Sequence, residues 1–159
     1  GPRFFSADLA DLRRYAEITV AEHDGRLGAL AAWAPPGTLP RSGRQRVRRD
    51  LLAARVLARA RHRAKATRLL ATVERKHPLE PHWYLALLGT DPAATGRGLA
   101  TALLALVLAR CDEDGDFAYL ETQKEANVAW YARAGFTVVD EIRLEATPPV
   151  WCLRRDPQG

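Results

Sequence analysis

Eight residues near the middle of the chain, Trp83 to Thr90, are almost wholly apolar, and the run stops at Asp91-Pro92. Such a run predicts a central strand buried on both faces, in a sheet covered by helices on each side. Thr95-Gly96-Arg97-Gly98-Leu99-Ala100 then opens a helix that reaches about Arg110. Its apolar face is Ala100, Leu103, Leu104, Val107 and Leu108, spaced i, i+3, i+4, i+7 and i+8. The first turn of a helix carries unpaired N–H groups and the positive end of the helix dipole. Glycine and alanine leave those groups uncovered, so an anion can approach the backbone closely. Plain turns also use glycine, so an anion cradle and a simple turn both remain open on this pattern alone. Nucleotide motifs fit poorly. No Gly-Lys-Ser/Thr end follows, and the third Gly or Ala of the dinucleotide pattern is missing from its place.

Around that centre the pattern alternates between strand and helix. Phe4 to about Ala16 reads as a helix, with Asp8 and Asp11 in its early turns. Glu17 to Glu22 and Leu27 to Trp33 read as an antiparallel pair joined at Asp24-Gly25 and ended by Pro35-Pro36-Gly37. Residues 41–76 contain no Pro and only Gly43, near the start, and read as basic helix broken into two. Asp112 to Asp116 reads as a turn, Phe117 to Glu121 as a short strand, and Ala126 to Ala134 as a short helix capped by Gly135. From Phe136 to Leu144 the alternation puts Phe136, Val138, Ile142 and Leu144 on one face, and Val150 to Arg154 forms a last strand. The order predicts an α/β domain, a mixed sheet flanked by helices on both faces.

A chain of 159 residues with 47% apolar content supports one globular domain. No apolar run is long enough for a transmembrane helix, and the N-terminus lacks the pattern of a secretion signal. Two cysteines, Cys111 and Cys152, allow one disulfide or two free thiols; their sparseness favours free thiols and a cytoplasmic location. Neither has a partner at metal-ligand spacing, so no metal site is expected. Charge is lopsided. Residues 41–76 carry thirteen Lys and Arg against Asp50 and Glu74, a net +11, whereas the whole chain is +5 and its remainder therefore −6. A basic block of this kind attracts an anion such as a polyphosphate cofactor or nucleic acid, or the acidic body itself. A plain solvated helix face is the leading alternative, and nucleic acid is the least expected partner, because the segment lacks aromatics to stack bases.

The residues after the central strand are similar to the GNAT superfamily of N-acetyltransferases. Its signature, Gln/Arg-x-x-Gly-x-Gly/Ala, is matched by Thr95-x-x-Gly98-x-Ala100, preceded by Leu88-Gly89-Thr90-Asp91-Pro92. Downstream, Leu120-Glu121-Thr122, Asn127 and Trp130-Tyr131-Ala132-Arg133-Ala134-Gly135-Phe136 are equally family-like. Residues 77–155 most resemble the puromycin N-acetyltransferase-like branch. The family's opening strand and much of its first helical pair have no counterpart, so the resemblance implies a single domain over 1–159, shortened at its N-terminus.

The resemblance implies acetyl-CoA as cosubstrate and a sheet splayed open beyond the central strand. The backbone of Leu88, Gly89 and Thr90 would pair with the pantetheine arm like an added strand. Residues Gly96, Arg97, Gly98, Leu99, Ala100 and Thr101 would cradle the pyrophosphate. Thr95 departs from the signature and would donate one hydrogen bond where the family has Gln or Arg, with Arg97 placed to compensate.

Attack of an amine on a thioester needs a neutral amine and a proton for the leaving thiolate. Tyr131, protonated at neutral pH, is the candidate acid, a role the resemblance also implies; its alternative is a core aromatic. Asn127, one turn earlier, either bonds the pantetheine, orients Tyr131 or caps the helix. Glu121, at a strand end, is the candidate base or an ordinary carboxylate holding an Arg. His82 and His77 flank the loop before the central strand and either reach a substrate or are surface or capping residues. Trp33, Trp83 and Trp151 either line a pocket for a flat acceptor or pack in the core. The resulting expectation is an N-acetyltransferase acting on a small primary amine through a ternary complex, monomeric or homodimeric, with no membrane partner. Two rivals stand beside it: a non-catalytic acyl-CoA-binding module of the same fold, and a nucleic-acid binder led by the basic helices.

Overall fold

A computed structural model describes residues 13–38, 63–145 and 147–159. The expected helix at 4–16 and the basic segment at 41–76 therefore fall largely outside the described residues. Arg13 to Tyr15 form a turn, and the basic segment enters as helix α1, Arg63–Lys76.

Strands β1 (Glu17–His23) and β2 (Arg26–Ala34) form the antiparallel hairpin. Asp24 and Gly25 both take positive φ, 51° and 71°, the condition of a tight two-residue turn that matches strand twist. β2 pairs antiparallel with β3 (Trp83–Thr90), and β3 pairs in parallel with β4 (Ala118–Thr122). Between them run a 3-10 turn, Pro92–Ala94, and helix α2, Leu99–Asp114. Helix α3, Glu125–Ala132, follows β4, and the chain ends in β5 (Thr137–Ile142) and β6 (Val150–Arg155). β6 inserts beside β4, giving the sheet order β1-β2-β3-β4-β6-β5.

Each face of this sheet has its own core. On one, Trp33, Trp83, Leu85, Ala118, Leu120 and Leu153 meet Leu103, Leu104, Val107 and Leu108 of α2, together with Tyr131 and Phe136. On the other, Phe117, Tyr119, Ile142, Val150 and Cys152 meet Leu69 and Val73 of α1. Helices thus flank both faces, as the element order predicts.

Several boundaries differ from expectation for physical reasons. α2 does not stop near Arg110. The residues read as a turn, Asp112 to Asp114, are its last turn, and termination waits for Gly115, whose φ of 74° breaks the helix. β3 is half-buried rather than buried on both faces; Trp83 and Leu85 are buried, while Gly89 is exposed. The alternation expected over 136–144 fails at one point. A register shift between Val138 and Asp140 leaves Val139 unpaired, so Val138 faces solvent with Val139 while Phe136 and Ile142 remain buried. Arg155, only 6% exposed, makes a bidentate pair with Asp112 (2.8 and 2.9 Å) and so ties the last strand to α2.

Candidate active site

The sheet opens where β3 and β4 part. Among the described residues they pair only at Trp83↔Ala118 and Tyr84↔Tyr119, although β3 runs on to Thr90. β3 also bulges against β2. Trp33 faces Leu85 and Ala32 faces Leu87, so Ala86 has no partner and the alternation of the strand is reset. On its β4 side, the backbone beyond Tyr84 faces a gap rather than a paired strand.

A groove of about 400 Å³ occupies that opening. Its walls are Leu88, Gly89 and Thr90 of β3, residues Ala94 to Thr101 around the start of α2, and Asn127, Trp130 and Tyr131 of α3. The start of α2 is shaped by two glycines in left-handed conformation, Gly96 (φ 77°) and Gly98 (φ 75°). A Cβ built on either meets nothing within 4 Å. The glycines therefore serve backbone conformation and leave open space in front of it, which suits an anion at the helix N-terminus. Gly98 caps α2 without a side-chain hydrogen bond, and Leu99, Ala100 and Thr101 of its first turn, where a helix leaves N–H groups without intrahelical partners, line this space.

The residues expected to hold a cofactor, Leu88 to Thr90, Thr95 to Thr101 and Asn127, thus come together around one groove with Tyr131. Thr95 also shapes the turn before α2. Its hydroxyl donates to the Asp91 carbonyl (3.3 Å), while the Asp91 carboxylate accepts from the Ala93 N–H (2.7 Å), so the side chain stabilises the turn. Arg97 is exposed on the rim and is the charged side chain closest in sequence to the cradle. Asn127 does not cap α3, whose first position follows Lys124; its amide donates instead to Thr122 Oγ1 (3.1 Å).

Tyr131 is 8% exposed, with its ring edge-on to Trp130 and Phe136 at 4.9 and 5.7 Å between centroids. Burial pushes its phenol up to about 12, so it keeps its proton throughout the neutral range. It is at once a core aromatic and a groove wall.

Glu121 lies on the opposite face of the sheet, two residues past the last β3–β4 pair. Its Oε1 is 3.2 Å from His77 Nδ1, and His77 Nε2 is 3.1 Å from His82 Nε2. His82 Nδ1 in turn donates to the Glu80 carbonyl at 2.6 Å. Phe117 stacks on the His82 ring, and Tyr84 and Tyr119 stand edge-on to His77. His82 is 2% exposed; burial lowers its pKa, opposed by the Glu80 carbonyl that its N–H bonds. His82 is thus a buried group rather than one that meets substrate directly. The sequence offered both histidines singly; nothing in it announced that a helix end and a loop bring them to Glu121.

Trp33 and Trp83, considered for an acceptor pocket, are 0% and 2% exposed and belong to the core under α2. They pack rather than line, and the Arg110 guanidinium covers the Trp83 ring at 4.4 Å. Two groove residues escaped the sequence reading, Ala94 and Trp130, along with one support. Gly28 on β2 accepts the Asp91 N–H at its carbonyl (2.8 Å), and a Cβ there would lie 2.6 Å from Leu99 Cδ1. Its signal is a glycine inside a strand, which often marks a close approach.

Residues 4–136 match the model of the acetyltransferase (GNAT) family. Among solved structures, the fold is similar to a histone acetyltransferase HPA2 and related acetyltransferase from Corynebacterium glutamicum, with 23% identity, a TM-score of 0.62, all of this chain and 79% of that one covered. It is also similar to a polyamine N-acetyltransferase of Drosophila melanogaster that forms N-acetylagmatine, with 20% identity, a TM-score of 0.60, and 87% and 74% covered. A third is an Arabidopsis thaliana protein solved with the bisubstrate analogue CoA-Ac-MVNAL, with 14% identity, a TM-score of 0.53, and 87% and 71% covered.

Proposed function

Since the chain belongs to the acetyltransferase (GNAT) family, we propose that it transfers the acetyl group of acetyl-CoA directly to a primary amine of a small molecule, in a ternary complex. The observation that carries this reading is the groove at the parting of β3 and β4, which joins an uncovered helix N-terminus to a buried, protonated Tyr131. The N–H groups from Gly96 to Thr101 bind the pyrophosphate, and the open edge of Leu88 to Thr90 aligns the pantetheine. Tyr131 supplies a hydrogen bond to the sulfur as negative charge develops on it. The acceptor enters from the α1 face, where Glu121 stands to take the ammonium proton.

The acceptor class draws on two supports: the likeness of residues 77–155 to the puromycin N-acetyltransferase-like branch, and the polyamine acceptor of one structural relative. The two cysteines are free and buried, and among the described residues no helix is long and apolar enough to cross a membrane. A cytoplasmic location suits the free thiols.

The test is a panel of polyamines, aminonucleosides and N-terminal peptides, read by release of free CoA thiol with acetyl-CoA. Amine-dependent release with a small amine is expected. Cofactor binding without release on any amine would turn the reading to a binding module of the same fold.

A further inference from the structure

Outside the groove, Glu121, His77 and His82 form a chain of titratable side chains in mutual contact. They come from three separate places: the end of β4, the residue after α1, and the residue before β3. Their side chains are 10%, 16% and 2% exposed. A buried chain of polar contacts specifies where its protons sit, because each gap needs one donor and one acceptor.

A backbone carbonyl only accepts, so His82 Nδ1, 2.6 Å from the Glu80 oxygen, carries a hydrogen. Two gaps remain, Nε2 to Nε2 between the histidines (3.1 Å) and His77 Nδ1 to Glu121 Oε1 (3.2 Å). Three gaps need three protons. Two neutral imidazoles and an ionised carboxylate supply only two, which leaves one gap with lone pairs facing each other and the group at net −1. A third proton fills every gap and brings the group to net zero, whichever of the three residues it resides on. A buried polar network that lacks one proton is a ready acceptor for it.

We infer that Glu121, His77 and His82 act together as a one-proton acceptor for the acceptor amine's ammonium group. Glu121 is the catalytic member, and His77 and His82 are positioning residues that complete the network. This rests on the acetyltransferase reading and assigns its base. In the first step an N–H bond of the ammonium breaks and its proton fills the open gap. The neutral amine then forms the N–C bond as the C–S bond breaks. The nitrogen releases its second proton to water as the sulfur takes the Tyr131 proton, Tyr131 regains a proton from water, and the triad returns its own to solvent, so that one proton is released overall.

Other charged and titratable groups stand around the triad. Lys76 bonds Asp140 at 2.5 Å, Glu80 contributes its carbonyl, and Tyr84 contributes a ring edge to His77. Tyr119 and Cys152 are buried beside Glu121, and burial raises the pKa of both, so both stay protonated. The nearest mobile proton therefore comes from a ligand or water at the Glu121 end.

Two measurements test this. In cofactor-free protein, the ring nitrogens of His77 and His82 are followed by NMR against pH. A shared proton makes the two rings respond together with one midpoint, and Glu121→Gln moves that midpoint for both. In turnover with a panel amine, His77→Phe keeps an aromatic ring and deletes the bridge. It is expected to leave acetyl-CoA affinity unchanged, lower kcat/KM about 10²-fold, and shift or remove the acidic limb of the pH–rate profile, with partial recovery in His77→Gln. Independent ring midpoints insensitive to Glu121→Gln would overturn the shared proton. A wild-type pH–rate profile in folded His77→Phe would overturn the positioning role. Absence of turnover with every amine, with the rings still coupled, would overturn the acetyltransferase reading and the base role with it, and would leave the shared proton standing.

Discussion

Asn127 Nδ2 donates to Thr122 Oγ1 across 3.1 Å, and the same oxygen accepts the Lys124 N–H at 3.3 Å. One hydroxyl thus fixes the turn between β4 and α3, and Tyr131 sits one helical turn beyond Asn127 on the same side. The groove wall is set by a strand end rather than by the helix alone. Thr122→Val preserves shape and removes both acceptor roles. It should cost about 1–2 kcal/mol of stability, the penalty for stranding donors, and should raise KM for acetyl-CoA more than it lowers kcat. A loss of stability with an unaltered KM would uncouple the turn from the groove.

Two substitutions at Gly98 separate strain from charge. Gly98→Ala meets no atom within 4 Å, so its cost is the left-handed φ of 75°, about 1–2 kcal/mol for a non-glycine residue. Gly98→Asp adds a carboxylate where the helix N-terminus would hold a phosphate. Calorimetric titration should find weakened acetyl-CoA binding in the first variant and none in the second. A folded Gly98→Asp protein with wild-type affinity would remove the cradle from the mechanism.

Much of this was legible beforehand, because the features concerned are local. The apolar run at 83–90, the glycines before α2 and the spacing of Leu103, Leu104, Val107 and Leu108 each fix their element within a few residues. One side of the groove follows, since Leu88 to Thr101 is one continuous stretch. What the sequence hid is non-local. Glu121, His77 and His82 are separated by up to 44 positions and meet only because β4 lies beside β3 and α1 ends above both. The Val139 bulge broke an alternation that was otherwise regular, and the extension of α2 to Asp114 shows a helix running through acidic residues until a glycine stops it.

Arg155 and Asp112 make stability depend on acid. The Arg155 guanidinium, with the Gln158 N–H, holds the Asp112 carboxyl down at about 2 from an ordinary value of 3.8. A carboxylate depressed in the folded state contributes fully above its unfolded pKa, and that contribution is lost as pH falls from about 4 to about 2. Asp112 is itself partly exposed, so solvent screening leaves the shift worth about 1 kcal/mol. Asp112→Asn should lower stability at pH 7 by at least that much, since it also strands a buried guanidinium. Denaturant melts of the variant should be flatter between pH 5 and 2, on the order of the window set by the two pKa values. Parallel curves for variant and wild type would assign the acid sensitivity to other carboxylates.

Tyr131 stands where burial and catalysis pull against each other. Its phenol, at about 12, keeps its proton at every working pH. Complete transfer to a thiolate of pKa about 8.5, taken as cysteine-like, is uphill by roughly 3.5 units. The tyrosine therefore acts chiefly by a hydrogen bond that strengthens as charge builds on sulfur, and the proton moves late. Loss of one such donor costs about 10²–10³ in kcat. Tyr131→Phe keeps the edge-on contacts with Trp130 and Phe136 at 4.9 and 5.7 Å, so folding and acetyl-CoA affinity should hold. Single-turnover kinetics should show the chemical step slowed by that factor. The pH–rate profile should keep its shape, because a group that does not titrate below about 12 adds no limb to it. Wild-type chemistry in the variant would leave Tyr131 as a packing residue, with water protonating the thiolate. A slowed step accompanied by a lost alkaline limb would mean that the phenol ionises far lower with substrate bound, and that transfer rather than hydrogen bonding carries its effect.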